Sequence, residues 1–310
     1  MPRAEWRTVG LDGEAVRGFR GLPEYTFVCP NRGAVREAVL ERVRQVSRSG
    51  RYEGMFLDRI RYPSPAVDPS RLLACFCSEC RRAAQAAGLD LEEARRGIRA
   101  LAATPQRAQA LIQGLLDGTP EGPGVELLNA YLSFRSHSVS QFVRAATEVI
   151  RDEGLSVGLD CFSPALTRMV GQDLRALGHC SDWIKIMSYG HTLGPAGLPF
   201  ELSALADWIV GSEFAGEDEA LAWLSRGTRL PLPATRADLC QGGLAPEALA
   251  AETRRARSEG ACTLWAGIEL VDVEGVTRLG RTQIEADLRA FRAAGAEGLV
   301  LSWDLWHIPL

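Results

Sequence analysis

The hydrophobic pattern of this chain switches repeatedly between short apolar runs and longer stretches with helical periodicity. The apolar runs end abruptly in polar residues, as expected of buried strands, and comprise Gly54–Asp58, Leu155–Cys161, Trp183–Tyr189, Cys262–Leu270 and Gly298–Trp303. The predicted helices include Val35–Val46, Cys77–Ala87, Val125–Glu153, Pro246–Ser258 and Thr282–Ala294. This alternation predicts parallel β/α units and therefore an α/β fold.

Two regions depart from the alternation. Residues 89–124 are helical but irregular and close with a segment rich in glycine and proline, which indicates a helical insertion on the rim of the fold. Tyr25–Cys29 is a short apolar run that predicts a further strand, broken by Pro30 and Asn31. The sequence has no repeat of fixed period, and we expect residues 1–310 to form a single domain.

The composition argues against some classes of binding partner. The net charge is −4 at pH 7 and 46% of the residues are hydrophobic, so neither nucleic acid nor an anionic membrane is indicated. No apolar run approaches the roughly 20 residues that a membrane span needs. The N-terminal residues MPRAEWRTVGLDGE lack the apolar core of a signal peptide, so we expect a cytoplasmic protein.

A group of cysteines follows the predicted strand at Gly54–Asp58. Cys75, Cys77 and Cys80 have the spacing C-x-C-x-x-C, which favours metal binding through thiolates. The alternative is a surface loop whose cysteines bind nothing. The scattered cysteines are more typical of small buried apolar residues and comprise Cys161, Cys180, Cys240 and Cys262.

Acidic residues stand at the ends of four predicted strands, namely Asp58, Asp160, Glu269 and Asp304. In a β/α barrel, the carboxyl ends of the strands lie on one face and carry the catalytic groups. Cleavage of a glycosidic bond needs two carboxyl groups that flank the bond. The alternative for Asp58 is a salt bridge to Arg61 that orders the loop, and the alternative for Glu269 is a solvated residue just past its strand.

Lys185 is the only lysine among the 35 basic residues. Alternation along its strand places Lys185 on the same face as Trp183 and Tyr189. A buried ammonium group needs a partner, and Asp160 on the preceding strand is the predicted one. One interpretation is that this position requires an ammonium group, including as the reactive amine of a Schiff-base enzyme. The other is a single lysine that remained by chance while the rest drifted to arginine.

Aromatic and histidine side chains near the strand ends fit a sugar-binding cleft. The aromatic candidates, which are equally common in barrel cores, are Tyr62, Tyr189, Trp265, Trp303 and Trp306. His191 and His307 follow two of the strands, and either bind a hydroxyl group or lie on the surface. The predicted substrate-binding residues are Arg61, Tyr62, Asp160, Lys185, Tyr189, His191, Trp303 and Asp304.

The order of short motifs along the chain resembles the glycoside-hydrolase-like β/α barrels. The motifs are CPN before a helix, GMFLDRIRYP, CFCSEC, IKIMSY and the closing GLVLSWDLW, from about residue 5 to the C-terminus. In many of these proteins, a segment similar to GMFLDRIRYP forms the fourth barrel strand. The resemblance implies a partial TIM-type (β/α) barrel with strands four to eight. About three β/α units that would precede residue 5 are expected to be missing.

The same resemblance implies a catalytic pair. In the large clan of retaining barrel hydrolases, the acid/base follows strand four and the nucleophile ends strand seven, which selects Asp58 and Glu269. The clan has Asn-Glu at the strand-four position, whereas this chain has the shorter Asp58 beside Arg59 and Arg61. A nearby guanidinium lowers a carboxyl pKa, which suits a nucleophile or charge stabiliser, so the two roles stay open.

The cysteine arrangement resembles that of the family-42 β-galactosidases. In those proteins, one cysteine before the helix that leads to strand four and a C-x-C-x-x-C after that strand hold a zinc ion. Cys29, Cys75, Cys77 and Cys80 match these positions. The implied zinc is structural, because four protein ligands leave no open position for water.

Three functions compete on these observations. The first is a glycoside hydrolase that acts on a carbohydrate through paired carboxylates. The second is a non-catalytic carbohydrate-binding or remnant barrel, which the missing strands favour. The third is a Schiff-base lyase or aldolase that uses Lys185. We rank them in this order, with a carbohydrate as the expected partner.

Overall fold

The computed structural model describes residues 3–66, 71–260, 262–277 and 279–302, apart from the side chains of Glu24 and Ser302. Five parallel strands form one open sheet in the order of the sequence, with β1 and β5 at its edges. The strands are β1 (Gly54–Leu57), β2 (Ser156–Cys161), β3 (Trp183–Ile186), β4 (Thr263–Glu269) and β5 (Gly298–Ser302). The sheet is a parallel half-barrel, consistent with a partial TIM-type barrel, and the numbering of its strands as barrel strands four to eight stays a prediction.

Helices connect and flank the strands, and Pro in the first turn begins several of them. They are α1 (Gly33–Ser47), α2 (Ser78–Ala86), α3 (Leu91–Leu101), α4 (Pro105–Leu116), α5 (Pro123–Arg151), α6 (Thr167–Val170), α7 (Leu174–Gly178), α8 (Leu198–Gly211), α9 (Glu217–Thr228), α10 (Arg236–Gly242), α11 (Pro246–Glu259) and α12 (Arg281–Ala293). The region predicted as an insertion forms α3 and α4, which pack against α5. No helix in the described ranges is both long and apolar enough to cross a membrane.

The outer face of the sheet packs against helices through aliphatic side chains. Ala266 and Ile268 of β4 contact Leu249 of α11 and Phe291 of α12. Successive residues of a strand point to opposite faces, so the residues between them point to the inner face. This face carries Lys185 of β3, one residue away from buried isoleucines on either side, as the alternation predicts.

The inner face also carries a row of stacked aromatic rings. Phe56 stacks on Trp183 with ring centroids 5.0 Å apart, and Trp183 stacks on Trp265 at 4.6 Å. Phe56 and Trp183 belong to β1 and β3, and they meet across β2 because Gly158 stands between them. A Cβ atom at Gly158 would lie 2.2 Å from the Trp183 ring, so no larger residue fits there without rearrangement.

Two sequence predictions of strands are wrong in extent or kind. Tyr25–Cys29 is not a strand, since Pro23–Tyr25 is a 3₁₀ turn and Val28 pairs only with Arg7 in an isolated bridge. The strand predicted at Trp183–Tyr189 ends at Ile186 as β3. Beyond it, the Tyr189 carbonyl accepts a hydrogen bond from the Leu198 amide, so the chain has left the sheet there.

Buried glutamates on helices hold the loops that follow the strands. Glu201 of α8 accepts hydrogen bonds from the Ser64 hydroxyl and from the amides of Ala66 and Ala196, at 2.8, 2.7 and 2.9 Å. Glu252 of α11 accepts from the Ser163 hydroxyl and from the Ala165 amide at 3.1 Å. The loops after β1, β2 and β3 are therefore tied to helices of the outer layer.

The Glu252 carboxyl predicts a pH dependence of stability. Burial raises the pKa of Glu252 from 4.5 to about 7, although the Ser163 hydroxyl, Arg255 and the Ala165 amide favour the charged form. Because the folded state then binds more protons than the unfolded state, stability falls as pH rises from about 4.5 to about 7 and levels off above that. Glu252→Gln should reduce this loss, measured by urea unfolding at pH 5 and 8, by on the order of 3 kcal/mol.

Glu247→Gln is the matched control for this prediction, since Glu247 is exposed on the same helix. Burial also raises the pKa of Asp160 to about 6, against the opposing effect of Lys185, so a part of the slope should remain in the Glu252 variant. A stability difference between pH 5 and 8 that is identical in wild type and Glu252→Gln would contradict the prediction.

Candidate active site and cysteine cluster

Lys185 and Asp160 form a buried ion pair on the inner face of the sheet. The two residues are cross-strand neighbours on β3 and β2, and Lys185 is 2% exposed. Lys185 Nζ lies 2.8 Å from both carboxylate oxygens of Asp160 and 2.6 Å from the Tyr189 hydroxyl. The contact predicted from strand alternation is therefore confirmed.

Electrostatics favour the ammonium form of Lys185. Burial lowers the pKa of Lys185, but Asp160 and Tyr189 outweigh it, so that the pKa lies above the usual value. A Schiff base requires a neutral amine, which an ammonium group held by a carboxylate does not supply. This arrangement argues against Lys185 as the nucleophile of a lyase.

Asp58 lies just past β1 and is about half exposed. Its carboxylate is 3.6 Å from Arg59 Nε, so its ion pair is with Arg59 rather than with Arg61. Arg61 is buried between the rings of Phe27 and Phe162, each 4.5 Å from the guanidinium carbon, and donates a hydrogen bond to the Tyr62 carbonyl. Burial lowers the pKa of Arg61 to about 10, opposed by Glu201, Asp58 and Asp160.

Asp58 borders an apolar pocket of about 350 Å³. The pocket is formed by the N-terminal segment, α1, the loop after β1 and one residue of α5. Its walls include Trp6, Phe27, Val35, Val39, Ile60 and Phe142. The exposed carboxylate at the border of this apolar pocket is open to a ligand from solvent.

Glu269 ends β4 and is almost fully buried. Its Oε1 accepts hydrogen bonds from the His191 amide at 2.9 Å and from the Thr192 hydroxyl at 3.1 Å. Burial raises the pKa of Glu269, while the His191 amide and the His191 ring charge oppose the shift. A carboxyl group with a raised pKa is suited to donate a proton, so Glu269 is a candidate for the general acid.

The His191 ring uses both nitrogens inside the protein. Nε2 lies 2.9 Å from an Asp287 carboxylate oxygen and Nδ1 lies 3.3 Å from the Gly242 carbonyl. Both partners accept, so the arrangement suits the doubly protonated ring. Burial lowers the pKa of His191, but Asp287 and Glu269 raise it above its usual value. His191 also lines a second pocket of about 450 Å³, together with Gln241, Glu274 and Thr277.

Five of the sequence-predicted site residues form two hydrogen-bonded groups at neighbouring strands. Asp160, Lys185 and Tyr189 form one hydrogen-bonded group, and Glu269 with His191 forms another. Asp58 follows the edge strand β1 and Glu269 ends β4, so β2 and β3 lie between their strands. That Asp58 and Glu269 face one cleft stays a prediction. Trp303 and Asp304, with Trp306 and His307, lie outside the described residues.

The four predicted metal ligands converge in one buried group. The sulfur atoms of Cys29, Cys75, Cys77 and Cys80 all lie within 4.8 Å of one another, and all four are free cysteines. Cys29 Sγ is 3.4 Å from Cys80 Sγ and 3.6 Å from Cys77 Sγ. Tetrahedral ligands at about 2.3 Å from a zinc ion are about 3.8 Å apart, so the residues present fit a metal ion.

Backbone and side-chain donors surround these sulfur atoms. The Val9 amide lies 3.2 Å from Cys75 Sγ, and Asn31 Nδ2 lies 3.4 Å from Cys80 Sγ. Hydrogen bonds from neighbouring sulfur atoms and burial raise the pKa of both Cys29 and Cys80. A metal ion would have to displace these protons, so binding should weaken at low pH.

Metal analysis checks the cluster directly. We expect the purified protein to carry about one zinc ion, and Cys29→Ser combined with Cys75→Ser to lose it, because two of four thiolate ligands are removed. The matched control is Cys240→Ser combined with Cys262→Ser, which removes two scattered cysteines. Zinc absent from the wild type, or retained by the Cys29 and Cys75 double variant, would contradict the site.

Two solved structures resemble this fold. The glycoside hydrolase domain of PgaB (BpsB) from Bordetella bronchiseptica aligns with a TM-score of 0.50 and 11% identity, over 93% of this chain and 62% of that chain. The β-galactosidase from the psychrophilic Marinomonas ef1 aligns with a TM-score of 0.53 and 14% identity, over 96% of this chain and 40% of that chain. The chain shares its fold with glycoside hydrolases.

The two alignments cover only part of each solved structure, and the sequence identity is low. The chain spans less than two thirds of the length of either solved structure. No protein-family model and no curated protein sequence matches it. At such low identity the comparisons establish the fold, and the chemistry of the site has to be argued from the residues of this chain.

Sequence reasoning missed several charged residues that the structure places in the interior. Glu201, Glu252, Asp287 and Arg135 are all at most 1% exposed. For two of them, the sequence pattern itself indicated burial. Asp287 stands in the apolar stripe of α12 between Ile284 and Phe291, and Arg135 has the same place in α5. A charge inside an apolar stripe indicates a buried partner elsewhere in the chain.

Proposed function

We propose that this chain is a glycoside hydrolase domain that acts on a carbohydrate through Asp58 and Glu269. The observation that carries the proposal is the set of carboxyl groups at the ends of parallel strands β1, β2 and β4, in a fold shared with glycoside hydrolases. The carboxyl ends of barrel strands are where this fold class performs chemistry. Paired carboxyl groups are the machinery that glycoside cleavage needs.

Within this proposal, the two carboxyl groups have different roles. Glu269 is buried with a raised pKa and serves as the proton donor, whereas exposed Asp58, which forms an ion pair with Arg59, serves as nucleophile or charge stabiliser. This assignment reverses the order that the retaining clan would suggest. Asp160, Lys185 and Tyr189 form a largely buried, hydrogen-bonded group beside the site, and Arg61 contributes positive charge near Asp58.

A second candidate function is carbohydrate binding without turnover. It is favoured by Glu269, whose Oε1 is already occupied by His191 and Thr192, and by the open edges of the sheet. Schiff-base chemistry is disfavoured, because the Lys185 ammonium is held by Asp160.

The experiment is a hydrolysis and binding screen with one set of sugars. Aryl β-galactosides and a panel of polysaccharides are assayed for release of aryl alcohol or of reducing ends, and the same sugars are titrated by calorimetry. Release supports the hydrolase. Binding without release supports the non-catalytic function. Borohydride trapping of a sugar on Lys185 would overturn both in favour of a lyase.

We also propose that Cys29, Cys75, Cys77 and Cys80 hold one structural zinc ion. The buried four-sulfur group and the match to the family-42 arrangement support this. A zinc ion bound by four thiolates would fix the loop before α2 to the start of α1. Such an ion would supply no catalytic chemistry, because four protein ligands would leave no open position for water.

A further inference from the structure

Arg135 is a guanidinium group in the interior that has no acidic partner in the described part of the chain. It lies in α5, is 0% exposed, and forms no ion pair with any carboxylate of the residues that the structure describes. Its Nη2 donates a hydrogen bond to the Leu72 carbonyl at 2.9 Å, while Nε and Nη1 have no partner among those residues. An uncompensated buried charge costs several kcal/mol, so a compensating charge is expected close by.

The residues in contact with Arg135 connect it to the cysteine cluster. Its guanidinium carbon lies 4.4 Å from the centroid of the Tyr62 ring and 5.6 Å from that of Tyr131. Tyr131 stacks at 4.9 Å on Phe76, the residue between Cys75 and Cys77. The Leu72 carbonyl that accepts from Arg135 belongs to the same loop.

A second connection runs one turn further along α5. The Ser138 hydroxyl accepts a hydrogen bond at 3.0 Å from Asn31 Nδ2, which also lies 3.4 Å from Cys80 Sγ. Tyr131, Arg135 and Ser138 are spaced by four and three residues and therefore lie on one face of α5. This face of the helix is turned towards the sulfur cluster.

The aromatic rings in contact with the Arg135 guanidinium, Tyr62 and Tyr131, are fully buried. The hydroxyl groups of Tyr62 and Tyr131 are themselves buried without hydrogen-bond partners in the described part of the chain. The interior here is thus poorly solvated, and an electrostatic attraction across it is weakly screened.

We propose that Arg135 is the counter-ion of a dianionic centre in which one divalent metal ion is bound by four deprotonated cysteines. The charge arithmetic favours this composition, because a divalent ion and four thiolates sum to −2 and leave a negative charge for the guanidinium to offset. Four neutral thiols would leave Arg135 as a lone buried cation. The proposal rests on the metal site proposed above and assigns to it a charge and a further residue.

The test is the zinc affinity of Arg135 variants, measured by competition with a chromophoric chelator. Arg135→Met should weaken zinc binding by about 10–100-fold, the range seen when residues behind metal ligands are replaced. Arg135→Lys keeps the charge and should retain most of the affinity. The matched control is Arg144→Met, which removes an exposed arginine of the same helix and should bind zinc as the wild type does.

A second measurement separates a charge role from a packing role and does not need a stable Met variant. The thermal midpoints of wild type and Arg135→Gln are compared with zinc and with excess chelator. A counter-ion predicts a larger loss on substitution in the zinc-loaded protein. An equal loss in both states would show a packing role and overturn the proposal. If the Gln variant does not fold, the same comparison is made with Arg135→Lys, for which the charge role predicts a small loss with zinc.

The remaining outcomes are distinct. Zinc bound equally by wild type and Arg135→Met, or Arg135→Lys as weak as Arg135→Met, would overturn the counter-ion while the metal site stands. A wild-type protein that binds no metal would overturn both.

Discussion

Asp58→Asn and Glu269→Gln are each expected to lower glycoside turnover by about 10²–10⁴-fold, the usual contribution of one positioned acid–base group. Each change removes a carboxyl group that glycoside cleavage requires and keeps its shape. The measurement is kcat/KM for a sugar that the screen identifies as a substrate. Asp152→Asn, an exposed residue at the end of α5, is the control and should leave turnover unchanged.

The two variants should remain folded, so that a loss of rate can be assigned to chemistry. Asp58 is about half exposed and forms an ion pair with neighbouring Arg59 at 3.6 Å. In Glu269→Gln, the new side-chain amide oxygen can still accept from the His191 amide and the Thr192 hydroxyl. Near-wild-type turnover in either variant would remove that residue from the catalytic pair.

Lys185→Met is expected to lower the free energy of unfolding by about 3–5 kcal/mol, the cost of breaking one side of a buried ion pair. Met has a similar length and no charge, so it leaves the Asp160 carboxylate without a cation. The pKa of Asp160, already about 6, should then rise further because its main opposing charge is gone. Urea unfolding at pH 7 measures the loss.

A double variant isolates the pair. Lys185→Met combined with Asp160→Asn should recover part of the lost stability, because no uncompensated charge then remains. Lys185→Arg is the companion test of shape, since a guanidinium is planar and Lys185 Cε already lies close to Gly267. A loss below about 1 kcal/mol for Lys185→Met would show that the ion pair contributes little.

The sheet could be predicted from the sequence because each strand is a short apolar run followed by polar residues, four of the five runs having an acidic residue at or near the end. The same alternation correctly predicted that Lys185 would reach Asp160, since both lie on inner-face positions of adjacent strands. Tyr25–Cys29 has the same local pattern but finds only one bridge, to Arg7. A strand needs a neighbouring strand, and a local pattern does not reveal whether one is there.

The buried charged residues could not be predicted from the sequence, because their partners are far away along the chain. Glu201 meets Ser64 across 137 residues of sequence, Glu252 meets Ser163 across 89, and His191 meets Asp287 across 96. Nothing local distinguishes such a glutamate from a solvated one. The four cysteines were easier, because three of them share a spacing that few purposes other than metal binding require.

The aromatic row on the inner face makes the sheet visible to spectroscopy. The indole rings of Trp183 and Trp265 are nearly parallel, at 23° and a centroid distance of 4.6 Å, on neighbouring strands β3 and β4. Two chromophores this close share their excited states, which produces a paired positive and negative band in circular dichroism that neither ring gives alone. The band exists only while β3 and β4 are in register, so the protein carries an optical reporter of its own sheet.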